Sequence, residues 1–72
     1  MEIISVTLEN GSNNIIVNYN QIVYNQVGDV ISKIPTIQGF SPENIEDWES
    51  LESNEILRPY KVFYWEGIDK PE

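Results

Sequence analysis

The chain has 72 residues, with four Lys and Arg against twelve Asp and Glu, no His and no Cys, for a formal charge of −8. This length holds one domain near the lower limit of independent stability, since such a chain buries only about 60% of the surface it exposes when unfolded. The missing Cys and His exclude disulfides and Cys/His zinc sites, and the charge argues against direct binding to nucleic acid or anionic lipid, both of which need Lys and Arg.

Glu2 to Leu8 alternates, with Ile4, Val6 and Leu8 on one face, Ser5 and Thr7 opposite, and Ile3 on the polar side, as in a half-buried strand. Glu9 to Asn13 is a turn cluster in which Gly11 can take positive φ, and Asn14 to Tyr19 reads as the returning strand of a hairpin.

From Gln21 to Ile34 two readings compete. Val23, Val27, Val30, Ile31 and Ile34 recur at spacings of three and four, as on a helix that Pro35 ends. The β-branched and aromatic content instead favours a second hairpin with Gly28-Asp29 as its turn, and Gly28 costs a helix about 1 kcal/mol relative to Ala. Period favours the helix over a window of this length.

Pro35 to Phe40 reads as a connector. Ser41-Pro42-Glu43 is then a helix start, with Ser as cap, Pro at the first helical position and acids at the positive end of the dipole. Ile45, Trp48 and Leu51 form its apolar stripe, with Glu43, Glu46 and Asp47 outward and Glu49 at the margin. Glu52 would fall on the buried side, so the helix should end near Leu51.

Tyr60 to Trp65 alternates Tyr60, Val62 and Tyr64 with Lys61, Phe63 and Trp65, as in a final strand with two apolar faces. Arg58-Pro59 should break pairing before it, and residues 67–72 read as a frayed tail. The expected fold is therefore α+β: a small single domain over residues 1–72, with an N-terminal β-hairpin, one or two short helices and a C-terminal strand. A mostly-β small barrel is the alternative. The opening Met1-Glu2-Ile3-Ile4-Ser5-Val6-Thr7-Leu8 before a Gly turn resembles that of ubiquitin-like domains, which implies a loosely β-grasp topology. Its apolar residues lie one position out of the usual register, and Asp69-Lys70-Pro71-Glu72 is not the diglycine tail that conjugation requires.

Without His or Cys there is no ordinary triad, thiol nucleophile or imidazole base, and paired carboxylates would need a cleft that so small a domain rarely has. The acids do not follow the D-x-D-x-D-G calcium loop, and no Gly-rich phosphate loop is present. The expectation is a protein that is not an enzyme and has no cofactor or metal site.

Half of the acids fall between Glu43 and Glu55 (Glu43, Glu46, Asp47, Glu49, Glu52, Glu55), a segment with no Lys or Arg. Three readings fit: a solvated helix face, a surface that docks on a basic protein by standing in for nucleic-acid phosphates, and a contact between subunits. Phe63 and Trp65 are candidate interface anchors if one face of the final strand is exposed. The N-terminus has neither a basic n-region nor a long apolar run, which points to a cytoplasmic protein. A wealth of Asn and Ile, both with AT-rich codons, points to an AT-rich genome. Such genomes usually supply more Lys than the three here, so the acidity is not simply inherited, and size, acidity and codon bias together point to a phage or mobile-element product. The expected function is an acidic inhibitor that occludes the basic nucleic-acid-binding surface of a host protein, with a possible homo-oligomer. The alternative is a structural subunit of a virion or other assembly that uses its aromatic strand as interface.

Overall fold

In a computed structural model that describes residues 1–72, three antiparallel strands are followed by two short helices: β1 (Glu2–Leu8), β2 (Ile15–Tyr24), β3 (Val30–Phe40), α1 (Ile45–Ser53) and α2 (Arg58–Tyr64). The strands form a meander in the order β1-β2-β3, so the sheet is open and both outer strands are edges. The class is α+β. The β-grasp resemblance does not extend to this order, in which both helices come after all the strands.

The first hairpin lies where the sequence places it. Glu9 N–H donates to the Asn14 carbonyl at 2.8 Å, and Gly11 and Asn13 take the positive φ values of 86° and 58° that the turn requires. Within β1 the facing differs from simple alternation. Ile3 pairs with Tyr19 and Ser5 with Asn18, so Ile4 is a bulged extra residue. The bulge shifts the phase of the strand, bringing Ile3 onto the same face as Val6 and Leu8 and leaving Ile4 62% exposed.

Residues 21–34, which helical period assigned to a helix, form the far part of the β2–β3 hairpin instead. Their turn is dominated by Asn25, whose side-chain oxygen accepts from Val27 N–H at 3.0 Å and Asp29 N–H at 2.9 Å. The Asn25 carbonyl accepts from Gly28 N–H, and Asn25 N–H donates to Asp29. With Gly28 at φ 90°, this local network outweighs a helical pattern built from β-branched residues. Pro35 and the expected connector become part of β3, where Pro35 lies opposite Asn20 on an edge strand that can dispense with its N–H.

One sheet face carries the core. Ile15, Val17, Tyr19 and Phe40 are buried against Trp48, Leu51, Leu57 and Trp65, with Ile3, Val6, Ile45, Tyr64 and Ile68 packed around them. Each large apolar side chain buried in this way contributes about 1.5–3 kcal/mol. The helices cover only the half of the sheet near Phe40, so the β2–β3 hairpin runs on as an uncovered arm. The radius of gyration is accordingly 14.0 Å, against about 11 Å for a compact chain of this length.

The expected C-terminal strand is the helix α2. Pro59 occupies its first turn, where a missing N–H costs nothing. Leu57, Lys61, Tyr64, Trp65 and Ile68, spaced four, three, one and three apart, form the stripe that faces the core. That stripe runs across the boundaries of the aromatic segment, whose internal alternation suggested a strand. Beyond Gly67, at φ 82°, Ile68 packs on the core and Lys70 reaches Glu52, so much of the segment from 67 onward lies against the domain.

Candidate functional site

The acidic segment is built on α1 and the turns that flank it. Ser41 does not cap the helix; its hydroxyl accepts from Glu43 N–H at 3.2 Å within a preceding turn that contains Pro42. The cap is Asn44, extended at φ −107°, whose side-chain oxygen accepts from Glu46 N–H at 2.9 Å. Asp47 turns back toward this junction and accepts from Ser41 N–H at 2.8 Å, while the Trp48 indole donates to the Pro42 carbonyl. Asp47 therefore holds the entry to α1 and does not point outward.

Glu52 is also drawn into the structure. The helix continues past Leu51 to Ser53, which places Glu52 beside Lys61 at 3.5 Å and Lys70 at 3.2 Å. The hydrogen bond from Lys70, opposed by partial desolvation and reinforced by the charges of both lysines, holds its carboxyl below the ordinary glutamate value. Lys61 lies 5.0 Å from the centre of the Trp48 ring, so one ammonium serves both a carboxylate and an aromatic face. Arg58 donates to the Glu52 backbone carbonyl at 2.8 Å.

The remaining four carboxylates of the segment are different in kind. Glu43, Glu46, Glu49 and Glu55 are exposed and make no salt bridge, and Glu43, Glu46 and Glu49 follow one another at spacings of three. Every cation in the chain is engaged elsewhere. Lys33 pairs with Glu2, Lys61 and Lys70 with Glu52, and Arg58 with a carbonyl. A one-sided acidic ridge results, with Glu55 in the loop beyond it.

The two aromatic candidates separate. Trp65 is buried, stacks on Trp48 and donates its indole N–H to the Asn13 carbonyl at 2.8 Å. Phe63 is 72% exposed and meets Tyr64 edge-on at 5.1 Å between ring centres. The molecule has no pocket, and nowhere do three acidic side chains converge as a metal-binding group would require. No helix is long and apolar enough to cross a membrane.

A second surface was not singled out from the sequence. On the sheet face away from the helices, Ile16, Ile22, Tyr24 and Ile37 share one side, with Val30 opposite Tyr24 and Ile31 bulged beside it. The cross-strand pairing of β2 with β3 is the signal that would have revealed it, and a helical reading of 21–34 hides that pairing. No family model, curated protein or solved structure matches the chain.

Proposed function

We propose that the chain is a non-catalytic protein-binding module whose acidic ridge docks on a basic surface of another protein and occludes it, as an inhibitor of nucleic-acid binding would. The observation that carries this reading is the uneven commitment of charge: Glu43, Glu46, Glu49 and Glu55 have no cationic partner, while all four cations are held by other groups. A basic partner would meet carboxylates that need not first break internal ion pairs, and like-charged neighbours at spacings of three gain when a cation settles between them. The absence of a concave site favours a broad surface contact over small-molecule chemistry. Phe63 offers an apolar contact, while Asp47, Glu52 and Trp65 act behind the surface as supports. The chain's size and acidity suit a phage or mobile-element inhibitor acting in the host cytoplasm.

Capture from a host lysate by the wild type and by a Glu46→Lys/Glu49→Lys variant, at low and high salt, tests the reading. It requires a basic protein that binds the wild type, is lost on charge reversal and on raising salt, and loses nucleic acid when the wild type is added. If both chains retain the same proteins, or neither retains a basic one, the reading fails.

The second reading, a structural subunit, is favoured by the exposed apolar side chains of the β2–β3 arm rather than by an aromatic strand.

A further inference from the structure

We propose that Asn10 is a self-modification site: in water its side chain cyclises onto the backbone nitrogen of Gly11 and opens to aspartate or isoaspartate, and the isoaspartate form loosens the seat of α2. This site lies apart from the acidic ridge and does not depend on the partner-binding reading.

Of the eight Asn in the chain, Asn10 alone precedes Gly. Cyclisation needs a backbone N–H that is free to react, an approach that no following side chain obstructs, and a segment able to rotate into the ring geometry. All three conditions meet at the tip of the first hairpin. Asn10 is exposed, neither its side chain nor its backbone is held by a hydrogen bond, and Gly11 N–H has no acceptor within the chain. Gly11 sits at φ 86°, with nothing within 4 Å of the place a Cβ would occupy.

The other Asn residues lack this combination. Asn14, Asn18 and Asn20 donate from their side-chain amides to Glu9, Ser5 and Glu2, and the side-chain oxygens of Asn25, Asn44 and Asn54 accept from backbone N–H groups. Asn13 has an unbonded side chain, but the N–H it would use is that of Asn14, which donates to Ser12 Oγ at 3.4 Å and carries a side chain of its own.

In the first step the Gly11 nitrogen bonds to Asn10 Cγ, the Cγ–Nδ2 bond breaks, and the Gly11 amide proton leaves with the NH2 group as ammonia. A five-membered succinimide results. Water, the only co-reactant, then adds to one of its two carbonyls. Attack at Cγ gives aspartate, which leaves the backbone as it was and puts one more negative charge beside Glu9. Attack at the α-carbonyl gives isoaspartate, in which the chain runs through Cβ and Cγ of residue 10 and the backbone is longer by a methylene.

That extra length falls inside a turn with a structural duty. Glu9 N–H closes the turn on the Asn14 carbonyl at 2.8 Å, and Asn13, at φ 58°, offers its carbonyl to the Trp65 indole N–H at 2.8 Å. Lengthening the backbone between these fixed points displaces Asn13, and the indole loses its acceptor. A reaction at the first turn thereby acts on the last helix. The aspartate product keeps the turn length and leaves Trp65 seated.

Incubation of the purified chain in neutral buffer at physiological temperature, followed by mass measurement and backbone fragmentation, should show a gain of about 1 Da that localises to residue 10 and includes isoaspartate. Asn10→Gln should abolish the gain, because its longer side chain would have to close a six-membered ring. The isoaspartyl form, separated by chromatography, should unfold at lower urea than the unmodified chain and exchange its Trp65 indole proton about tenfold faster. Asn10→Asp, which adds the charge without the methylene, should match the wild type in both. A residue 10 unchanged over weeks, equal conversion at any other Asn, or an isoaspartyl form with the wild-type urea midpoint and indole exchange would each overturn the proposal.

Discussion

Trp48 and Trp65 meet with ring centres 4.7 Å apart and planes inclined at 43°, and each indole N–H donates to a backbone carbonyl in a turn, Pro42 for the first and Asn13 for the second. One contact thus joins α1, α2, the first hairpin turn and the entry to α1. Tilted aromatic pairs contribute about 0.5–1.5 kcal/mol beyond the area they bury.

Trp65→Ala should therefore cost about 3–5 kcal/mol, a large part of the about 4–11 kcal/mol that a domain of this size has in total. Trp65→Phe keeps an aromatic body and should cost about 1–2 kcal/mol, because the exposed Asn13 carbonyl can accept from water instead. Urea unfolding followed by tryptophan emission, with Trp48 as the remaining probe, measures both; equal costs would show that the ring itself contributes little.

Acid should destabilise the fold through Glu2 and Glu52. The Asn20 hydrogen bond and then Lys33 lower the first, and the hydrogen bond from Lys70 lowers the second. A carboxyl whose folded pKa is depressed adds stability that is fully present above its unfolded value, about 4.3, and is lost as pH falls through the depressed value. Urea midpoints should change little on this account between pH 7 and pH 5 and then decline. Glu52→Gln should lower the midpoint at pH 7 and flatten the decline; an unchanged acid profile would remove Glu52 from the explanation.

Asn44→Ala should cost about 1 kcal/mol by leaving the Glu46 N–H without its cap, whereas Ser41→Ala should cost less, because Ser41 serves a turn outside the helix. Thermal melts of the two variants give the order directly, and the reverse order would relocate the cap.

Gly28→Ala should cost about 1–2 kcal/mol locally, since the residue sits at φ 90° although nothing lies within 4 Å of an added Cβ. The loss should appear as faster hydrogen exchange at Val27 and Asp29, with the amides of Ile15 and Val17 unaffected. Uniformly faster exchange would mean that the turn is part of the cooperative core.

The first hairpin and α1 were legible because their signals are local: a Gly-containing turn between β-branched runs, and Ile45, Trp48 and Leu51 at helical spacing. The second hairpin was legible only as the competing reading, from the β-branched content and Gly28, because Val23, Val30, Ile31 and Ile34 also satisfy a helical period by coincidence, while the deciding chemistry rests in the side chain of Asn25 and the φ of Gly28. The final element was misread for the opposite reason. Tyr60 to Trp65 alternates within six residues, but the stripe that decides it starts at Leu57 and ends at Ile68. At the acidic surface, Glu46 and Glu49 could be placed from their spacing on α1, whereas Glu43 lies in the turn before the helix. The inward roles of Asp47 and Glu52 depend on Ser41, Lys61 and Lys70, and sequence distance does not reveal those partners.

The hydrogen bond from Trp65 to Asn13 links residues 52 positions apart, whereas both hairpins close over short turns. The meander can therefore assemble early from nearby partners, and the helices must shut a long loop before they seal its bare face. Closure by α2 then acts as the latch of the fold. Weakening it, as in Trp65→Phe, should accelerate unfolding while leaving the folding rate nearly unchanged, so the lifetime of the native state is set at the joint between the first turn and the last helix.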